Sequence, residues 1–356
     1  MENVKFDFDD ILIEPAITSS IRSRSEININ DDNGNLPLFT APMYDVIDLK
    51  NINIYKSLGI NTILPRGKDS DNFLNTCNEL DTWYSFSLED FEEKFLKHTI
   101  TFLKPIKVLI DIANGHMSQL LIVIEHAKRV YTDKLILMVG NIANPRTYIQ
   151  LSRAGADYVR CGIGFGGACL TTQQTKIGYP MASLINECFI HKQEFCLTTK
   201  IVADGGMKKY SDVIAALSLG ADYVMLGSIF NKALESAANT FIGNKKYNSW
   251  TEPGDQIDQY TEHYSAMLKS GTKFYKKFRG MSTKEIQKEM GNTKLKTSEG
   301  IIKLIEVEYT LSQWIENFSD YLKSAMSYSG TNNLKEFREE TEFIFITENS
   351  LNRYKK

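Results

Sequence analysis

Short apolar runs alternate with longer helical stretches between residues 105 and 230, and this alternation restricts the folds open to the chain. Apolar strands separated by helices are typical of a parallel sheet whose outer face the helices cover. Five runs predict strands, at residues 107–111, 134–139, 157–160, 200–204 and 222–227. Three upstream runs, at residues 36–42, 61–64 and 83–87, could raise the number of strands to eight.

Eight strands of this kind would close a TIM barrel, whereas an open doubly wound sheet, which binds its ligand at a switch point, is the alternative. The distinctive residues favour the barrel, because they follow the carboxyl ends of predicted strands, where barrels build active sites. They are Asp111, Gly140 with Asn141, the loop that ends at Cys169, residues 204–206, and Gly227 with Ser228. We expect a (β/α)8 barrel with a long active-site flap and a C-terminal helical extension.

Helical periodicity and polarity place the remaining elements. We expect helices near residues 119–130, 144–154, 181–194, 211–219, 310–326 and 333–340, and an edge strand at 343–346. Residues 240–300 are polar, and a connection of this length within a compact domain is usually functional, such as a lid, or disordered. We therefore expect one catalytic domain over residues 1–356, with the flap at about 240–300.

The composition excludes several classes of protein. The 356 residues include 41 Lys and Arg against 44 Asp and Glu, which predicts no general affinity for nucleic acid or an anionic membrane. The first residues are too polar for a signal peptide, and no apolar run approaches the ~18 residues of a membrane span. The five cysteines lack the spacing of zinc sites, so reduced thiols in a cytoplasmic protein are the simplest interpretation.

A glycine-rich loop that ends at Cys169 is the strongest indication of chemistry. Glycine permits positive φ and a close approach of the backbone, so the loop could turn carbonyl groups toward a cation while holding Cys169 at the mouth of a site. A thiolate at that position would be a strong nucleophile if its pKa were lowered. The alternative is a tight turn beside a packed cysteine, the role we predict for Cys77, Cys161, Cys188 and Cys196.

Several motifs together resemble the IMP dehydrogenase and GMP reductase family, from residues 6–15 to the C-terminus. The family's nucleophilic cysteine lies in a loop of the form GxGxxCxT, which residues 164–171 match with Cys169 at the cysteine position. Residues 203–206, 225–228 and 279–282 match its ribose- and phosphate-binding segments. The resemblance implies a TIM barrel that acts on a purine nucleotide with NADPH, as a homotetramer.

Other motifs resemble the GMP reductase branch in particular: residues 23–26, 111–115, 178–180, 296–300 and 324–330. No segment has room for the CBS-domain pair that dehydrogenases usually carry, and the flap lacks the Arg-Tyr pair with which they activate water. The resemblance therefore implies reductive deamination of GMP to IMP and ammonia. An IMP dehydrogenase-like oxidation and a purine nucleotide binder without turnover are the alternatives.

The resemblance also implies the roles of individual residues. Cys169 would attack purine C2, with Thr171 and Glu299 as a proton relay, although a helix cap and a solvated carboxylate are their ordinary interpretations. Asp204 would accept hydrogen bonds from the ribose hydroxyls, and backbone N–H groups of the nearby glycines would bind the 5'-phosphate. The implied substrate-binding residues are Asp204, Gly205, Gly206, Gly227, Ser228, Gly280, Met281, Ser282, Lys296, Ser298 and Gly300.

The implied cofactor site divides into two ends. Asp111 would face the nicotinamide, and Ser23 with Arg24 would contact the adenine-side phosphates across a subunit boundary. The carbonyls of Gly164, Gly166 and Cys169 could coordinate a monovalent cation such as potassium, since hard cations prefer oxygen ligands. The implied cofactor-binding residues are Ser23, Arg24, Arg66, Asp111, Ile112, Ala113, Asn114, Ile163, Gly164, Met281, Ser324 and Ser327.

Several positions depart from the family pattern. Gly167 stands where the family has a phosphate-binding serine, so one hydroxyl donor is missing. Thr172 and Lys296 replace arginines, and lysine lacks the bidentate geometry of arginine. Pro42 and Tyr44 replace two polar groups near the purine. Because these positions face ligands, a preference for a deoxy or modified purine nucleotide is a further hypothesis.

Overall fold

The computed structural model describes residues 4–67, 72–98, 100–167, 169–247, 250–290, 295 and 300–354. Its centre is an eight-stranded parallel sheet in which the second to the eighth strand pair in chain order and the last strand pairs with the first. The strands are β1 Leu38–Thr40, β2 Ile63–Leu64, β3 Trp83–Phe86, β4 Ile106–Asp111, β5 Leu135–Ile142, β6 Tyr158–Cys161, β7 Lys200–Asp204 and β8 Tyr223–Leu226.

The sheet closes into a barrel between β1 and Asn61, which lies two residues before the start of β2. Phe39 and Asn61 form a parallel bridge, in which the Asn61 N–H donates to the Leu38 carbonyl and the Thr40 N–H donates to the Asn61 carbonyl, both at 3.0 Å. The predicted (β/α)8 barrel is therefore confirmed, and the alternative of an open doubly wound sheet is wrong.

Helices cover the outside of the barrel, as the sequence predicts. The main ones are α1 Ile52–Ser57, α2 Phe73–Leu80, α3 Leu88–Phe91, α4 Ser118–Tyr131, α5 Pro145–Ala154, α6 Met181–Glu194, α7 Tyr210–Ser218 and α8 Leu311–Ser329. Shorter helices lie at Thr171–Thr175, Ser228–Asn231, Glu262–Lys269, Lys284–Glu289, Leu334–Glu340 and Glu348–Asn352, and Glu92–Lys97 extends α3 as a π-helix. The predicted edge strand is Phe343–Phe345, which pairs with Ile11–Ile13. None of the helices in the described ranges is long and apolar enough to cross a membrane.

Side chains fill the inside of the barrel. Phe39, Trp83 and Tyr223 belong to one buried cluster with apolar residues of β4, β5 and β7, and the rings of Phe39 and Tyr223 lie 5.0 Å apart. Because side chains alternate between the two faces of a strand, a residue two positions after an inward one also points inward. By this rule Asp111 and Asp204 point inward at the carboxyl ends of β4 and β7, above the apolar plug.

A second sheet interrupts the chain between β8 and α8. Four antiparallel strands form it, β9 Thr240–Tyr247, β10 Trp250–Ile257, β11 Phe274–Arg279 and β12 Ile302–Glu306, in the order β10-β9-β11-β12. We call it the insertion sheet. The sequence marked this segment as a polar flap and did not predict its strands.

Lys276 is fully buried where the insertion sheet meets the barrel. Its Nζ donates to the Ser236 carbonyl at 2.8 Å, and the Gln259 side chain donates to the same carbonyl at 3.1 Å. Burial lowers the pKa of Lys276 to about 7, although Glu235 and Asp45 act in the opposite direction. The folded chain therefore begins to lose the Lys276 proton near neutral pH, well below the ordinary lysine range.

We predict that the wild-type protein gains stability relative to a Lys276→Met variant as pH rises from about 7 toward the ordinary lysine value of 10.5. In this window the unfolded chain binds a proton at residue 276 that the folded chain has lost, so raising the pH favours the folded chain. Denaturant titrations at several pH values would measure the difference in free energy of unfolding. A Lys277→Met variant, which alters an exposed neighbour, should follow the wild type. A difference for Lys276→Met that stays constant with pH would contradict the lowered pKa.

Candidate active site

A cavity of about 310 Å³ opens at the carboxyl ends of the barrel strands. It brings together most of the site residues predicted from the sequence, which come from several barrel loops and from the end of β11. The predicted residues that line it are Arg66, Asp111, Ile112, Ala113, Gly166, Cys169, Thr171, Asp204, Gly205, Gly206, Gly227, Ser228, Gly280, Met281 and Ser282. A larger cavity of about 680 Å³ lies between residues 44–50 and 256–260 and contains none of the predicted site residues.

A buried arginine joins the two predicted ligand-binding carboxylates. Arg160 Nη1 donates to Asp111 Oδ1 at 2.6 Å, and its Nη2 donates to Asp204 Oδ2 at 2.8 Å. Burial alone would lower the pKa of the Arg160 guanidinium, but the attraction of Asp204 and Asp111 outweighs it and raises the pKa. Arg160 is therefore charged, and the three groups form one ion network on the inner wall of the cavity.

Two further side chains fix the carboxylates. Asn141 donates to Asp204 Oδ2 at 2.6 Å and to the Gly162 carbonyl at 2.8 Å, which connects Asp204 to the start of the Cys169 loop. Arg66 Nη1 donates to the Asp111 backbone carbonyl at 3.0 Å. Each carboxylate is thus held by a neighbouring strand or loop before any ligand binds.

The sequence analysis placed Asn141 at the active-site end of a strand without assigning it a role, and it missed Arg160. The sequence did contain a signal for Arg160, because it is a charged residue in an otherwise apolar strand. It lies two positions after Tyr158, which packs against the interior cluster, so its side chain also points into the barrel. Asn141 follows Gly140 at a strand end, but many such residues cap helices. Only the pairing of β5, β6 and β7 shows that both reach Asp204.

The Cys169 loop depends on glycine at two positions. Gly162 and Gly164 have φ of 135° and 84°, which residues with a side chain rarely adopt. A Cβ atom at Gly164 would lie 1.8 Å from Thr172 Oγ1, and one at Gly162 would lie 2.2 Å from the Asp204 carbonyl. Thr172 Oγ1 itself donates to the Ile177 carbonyl at 2.6 Å. The threonine that replaces the family's arginine therefore packs beneath the loop and fixes its return to the barrel.

Cys169 is exposed at the mouth of the cavity, so the packing alternative is wrong for this residue. Its Sγ donates to Thr171 Oγ1 at 3.3 Å, and its N–H donates to the Gly166 carbonyl at 2.9 Å. The backbone of Cys169 also forms an antiparallel bridge with Gly300. Among the other cysteines, Cys196 is exposed and its predicted packing role is wrong, whereas Cys77, Cys161 and Cys188 are buried.

The predicted phosphate-binding end of the cavity has a different character. Gly205, Gly206, Gly227 and Ser228 line it beside Gly167, with no charged side chain at any of these five positions. A Cβ atom at Gly167 would lie 3.2 Å from the Ser228 Cβ atom, so the missing serine of the family would contact Ser228. The Gly206 N–H already donates to the Phe165 carbonyl at 3.1 Å, so this end offers the other backbone N–H groups and the Ser228 hydroxyl.

Some predicted residues lie away from the cavity. Asn114 is exposed, and its side chain accepts from the His116 N–H. Ile163 and Gly164 do not line the cavity and instead lie in the loop where it contacts Thr172. Lys296, Ser298 and Glu299 lie outside the described residues. The structure therefore tests the position of Cys169 and Thr171 but not of the third predicted catalytic residue.

The predicted adenine-side residues form a separate surface region. Ser23 and Arg24 begin a short 3-10 turn that packs on α8, the helix that carries Ser324 and Ser327. Ser19 Oγ donates to the Ser327 carbonyl at 2.8 Å and holds the N-terminal segment against that helix. None of these four predicted residues lines the described cavity of the same chain.

Metal binding by side chains has no candidate in the parts of the chain that the structure describes, where no group of three His, Cys, Asp or Glu residues could hold an ion. The predicted cation ligands are backbone carbonyls. One of them, the Gly166 carbonyl, accepts the Cys169 N–H inside the loop.

Comparison with known proteins supports the sequence motifs. Residues 103–355 match the sequence model of a family described as the IMP dehydrogenase / GMP reductase domain. The chain is 29% identical over 98% of its length to the GMP reductase of Buchnera aphidicola subsp. Baizongia pistaciae, and covers 95% of that protein. For a GMP reductase of Vibrio vulnificus the identity is 28%, over 100% of this chain and 98% of the relative. An inosine-5'-monophosphate dehydrogenase of Chlorobaculum parvum is 32% identical over 67% of this chain, which covers 45% of that protein.

We predict that Gly164→Ala disturbs the Cys169 loop more than Gly34→Ala disturbs its own turn. Both glycines have similar φ, 84° and 81°, so both substitutions incur a backbone cost of about 1–2 kcal/mol. Only Gly164 adds a collision with Thr172, because a Cβ atom at Gly34 meets nothing within 4 Å. Denaturant unfolding and the rate of Cys169 alkylation by iodoacetamide would measure the two effects. Equal losses of stability and an unchanged alkylation rate would refute the proposed fit.

We also predict that Arg160→Met lowers the free energy of unfolding by about 3–5 kcal/mol, the cost of removing one partner from a buried ion pair. The substitution leaves Asp111 and Asp204 close together without their shared cation. Arg129→Met, on the exposed face of α4, is the matched control and should change stability little. Equal stability of the two variants would show that the network contributes nothing to folding.

Proposed function

Since this chain belongs to the IMP dehydrogenase / GMP reductase family, we propose that it is a GMP reductase-like oxidoreductase. The reaction converts GMP, NADPH and a proton to IMP, NADP+ and ammonia. The observation that carries the proposal is the accessible Cys169 at the mouth of a barrel cavity that also contains Thr171, Asp111 and Asp204. The similarity to GMP reductases over nearly the whole chain agrees with it.

Cys169 acts as the nucleophile in this proposal. Its thiolate forms a bond to purine C2, and the bond between C2 and the exocyclic nitrogen breaks as ammonia leaves. When bound, NADPH supplies the hydride that C2 accepts, after which the bond from carbon to sulfur breaks and IMP is released. Covalent attachment divides one difficult substitution into two easier steps.

The departing amine must gain a proton, and Thr171 is placed to participate. Its hydroxyl lies 3.3 Å from Cys169 Sγ, so it reaches the region of the reacting carbon. Proton transfer by a positioned group typically contributes 10²–10⁴-fold to the rate. Glu299, the proposed second member of the relay, comes directly before Gly300, whose backbone pairs with Cys169.

Asp204 binds the ribose hydroxyls in this proposal. The described contacts of Arg160 and Asn141 with Asp204 both involve Oδ2, so Oδ1 remains available as an acceptor. Gly205, Gly227 and Ser228 then contribute donors to the 5'-phosphate, while Gly206, whose N–H donates to the Phe165 carbonyl, lets the phosphate approach the backbone closely. This agrees with the usual position of phosphate sites in TIM barrels, after the last strands.

The nicotinamide end of the cofactor fits the wall formed by Asp111, Ile112 and Ala113, beside Arg66. Ser23, Arg24, Ser324 and Ser327 do not line the cavity of their own chain. We therefore assign them to the adenine side of a cofactor bound by a neighbouring subunit, which makes a homotetramer the proposed working form. A cytoplasmic location and a potassium ion held by the carbonyls of residues 164, 166 and 169 complete the proposal.

An IMP dehydrogenase-like oxidation is the second candidate. The Chlorobaculum dehydrogenase has the higher identity, 32%, although the match covers 67% of this chain.

Pro42 lines the cavity, and the Tyr44 hydroxyl donates to the Arg66 carbonyl at 2.6 Å instead of entering the purine region. The purine region therefore lacks two polar groups of the family pattern, and deoxy and modified purine nucleotides should be assayed as substrates beside GMP and IMP.

We predict that purified protein oxidises NADPH when GMP and potassium are present, and that Cys169→Ala lowers turnover by on the order of 10⁴-fold or more, because nothing replaces a lost nucleophile. Absorbance at 340 nm would follow NADPH, and chromatography would identify IMP and ammonia. Cys196→Ala, which removes the other exposed cysteine, should retain wild-type turnover.

Other outcomes would select among the alternatives. NAD+ reduction with IMP would establish the dehydrogenase reaction. Turnover with a deoxy or modified nucleotide much faster than with GMP would establish a changed substrate. Nucleotide binding without turnover of any combination would contradict the enzymatic proposal.

A further inference from the structure

We propose that Lys303 binds the 5'-phosphate of the purine nucleotide and selects nucleotides over nucleosides, an inference that rests on the proposed function. Lys303 lies on β12 of the insertion sheet, outside the barrel. Its Nζ donates to the Gly167 carbonyl at 3.1 Å. The ammonium group of an insertion-sheet residue therefore reaches the loop beside the proposed phosphate site.

The charges already present in the cavity leave this end neutral. Arg160 is shared between Asp111 and Asp204, and Arg66 contacts the Asp111 backbone and lies 3.8 Å from its carboxylate. Both guanidinium groups are thus directed to the cofactor and ribose side. The described cavity residues that the resemblance assigns to the phosphate side are glycines, Ser228, Met281 and Ser282, and none of them is charged. A phosphate dianion there would receive neutral donors alone.

Lys303 compensates for a specific loss. Gly167 lacks the hydroxyl that the family's serine gives to the phosphate, and the carbonyl of this same residue accepts the Lys303 ammonium. The side chain of Ser228 lies against Gly167, since a Cβ atom added there would meet Ser228 Oγ at 3.5 Å. One ammonium and one hydroxyl consequently lie beside Gly167, which lines the cavity together with the glycines of the proposed phosphate site. Because lysine carries three N–H bonds, the Lys303 ammonium can donate to a phosphate oxygen while it also donates to the Gly167 carbonyl.

The insertion sheet brings this lysine to the site by pairing that the structure describes. Lys303 pairs with Phe278 of β11, and Phe278 lines the cavity together with Gly280. The Gly280 N–H donates to the Ile301 carbonyl at 3.0 Å, and Gly300 pairs with Cys169. Lys303 is therefore part of the segment that covers the catalytic loop.

The test compares binding of GMP and guanosine to the full-length protein by titration calorimetry without NADPH, so that no turnover is needed. We expect Lys303→Met to weaken GMP binding by roughly 10- to 100-fold, the range for a hydrogen bond to a charged group. Guanosine binding should be unchanged, because the nucleoside has no phosphate. Lys303→Arg should retain most of the preference for GMP, since it retains the charge.

Lys273→Met is the matched control, because Lys273 is an exposed lysine of the insertion sheet region that pairs with Glu306. It should bind GMP as the wild type does, and circular dichroism would verify that each variant is folded. In kinetic measurements, Lys303→Met should raise KM for GMP while kcat stays within a few-fold of wild type.

Two results would overturn the inference and leave the proposed function intact. Unchanged GMP affinity in Lys303→Met would show that Lys303 does not bind the phosphate. Equal weakening of GMP and guanosine would show that Lys303 merely holds the Gly167 loop. Failure of the wild-type protein to bind GMP would instead reject the proposed function, and the inference with it.

Discussion

The buried charge of Arg160 is the constraint on which the active site depends. A guanidinium inside a barrel is strongly unfavourable unless carboxylates neutralise it, and Asp111 and Asp204 supply that neutralisation from two other strands. The same requirement acts on the carboxylates, which lie above an apolar plug that offers them no polar partner. The barrel therefore closes with three charged side chains at defined distances, and the site is preorganised before any ligand arrives.

This network has a consequence for how ligands bind. The family resemblance assigns Asp111 to the cofactor and Asp204 to the substrate, and one guanidinium touches both. A ligand that draws either carboxylate away changes the partner available to Arg160 and hence the position of the other carboxylate. Asn141 extends the connection to the Gly162 carbonyl at the start of the Cys169 loop. Electrostatic pairing, rather than a moving element, is the physical link among these three parts of the site.

The sequence predicted the barrel well because its signals are local. Each barrel strand is a short apolar run, and Asp111, Asp204 and the Cys169 loop follow such runs directly. The ion network was harder to predict, because it depends on register between strands, including the irregular pairing of β5 with β6 between Gly140 and Ile142. The insertion sheet was missed because its antiparallel strands carry polar residues and pair over long sequence distances, as Phe278 does with Lys303.

The Cys169 loop is held from two sides with different properties. The barrel holds its first half, where Asn141 binds the Gly162 carbonyl and Gly164 fits against Thr172. The insertion sheet holds its second half, where Gly300 pairs with Cys169 and Lys303 contacts Gly167. A displacement of the insertion sheet would thus remove these contacts of Gly167 and Cys169 and leave the wall of Asp111 and Asp204 in place. The wall belongs to the barrel, whereas the position of the Cys169 sulfur depends also on the insertion sheet. In the proposed reaction, a nucleotide that fixes the insertion sheet therefore also fixes Cys169.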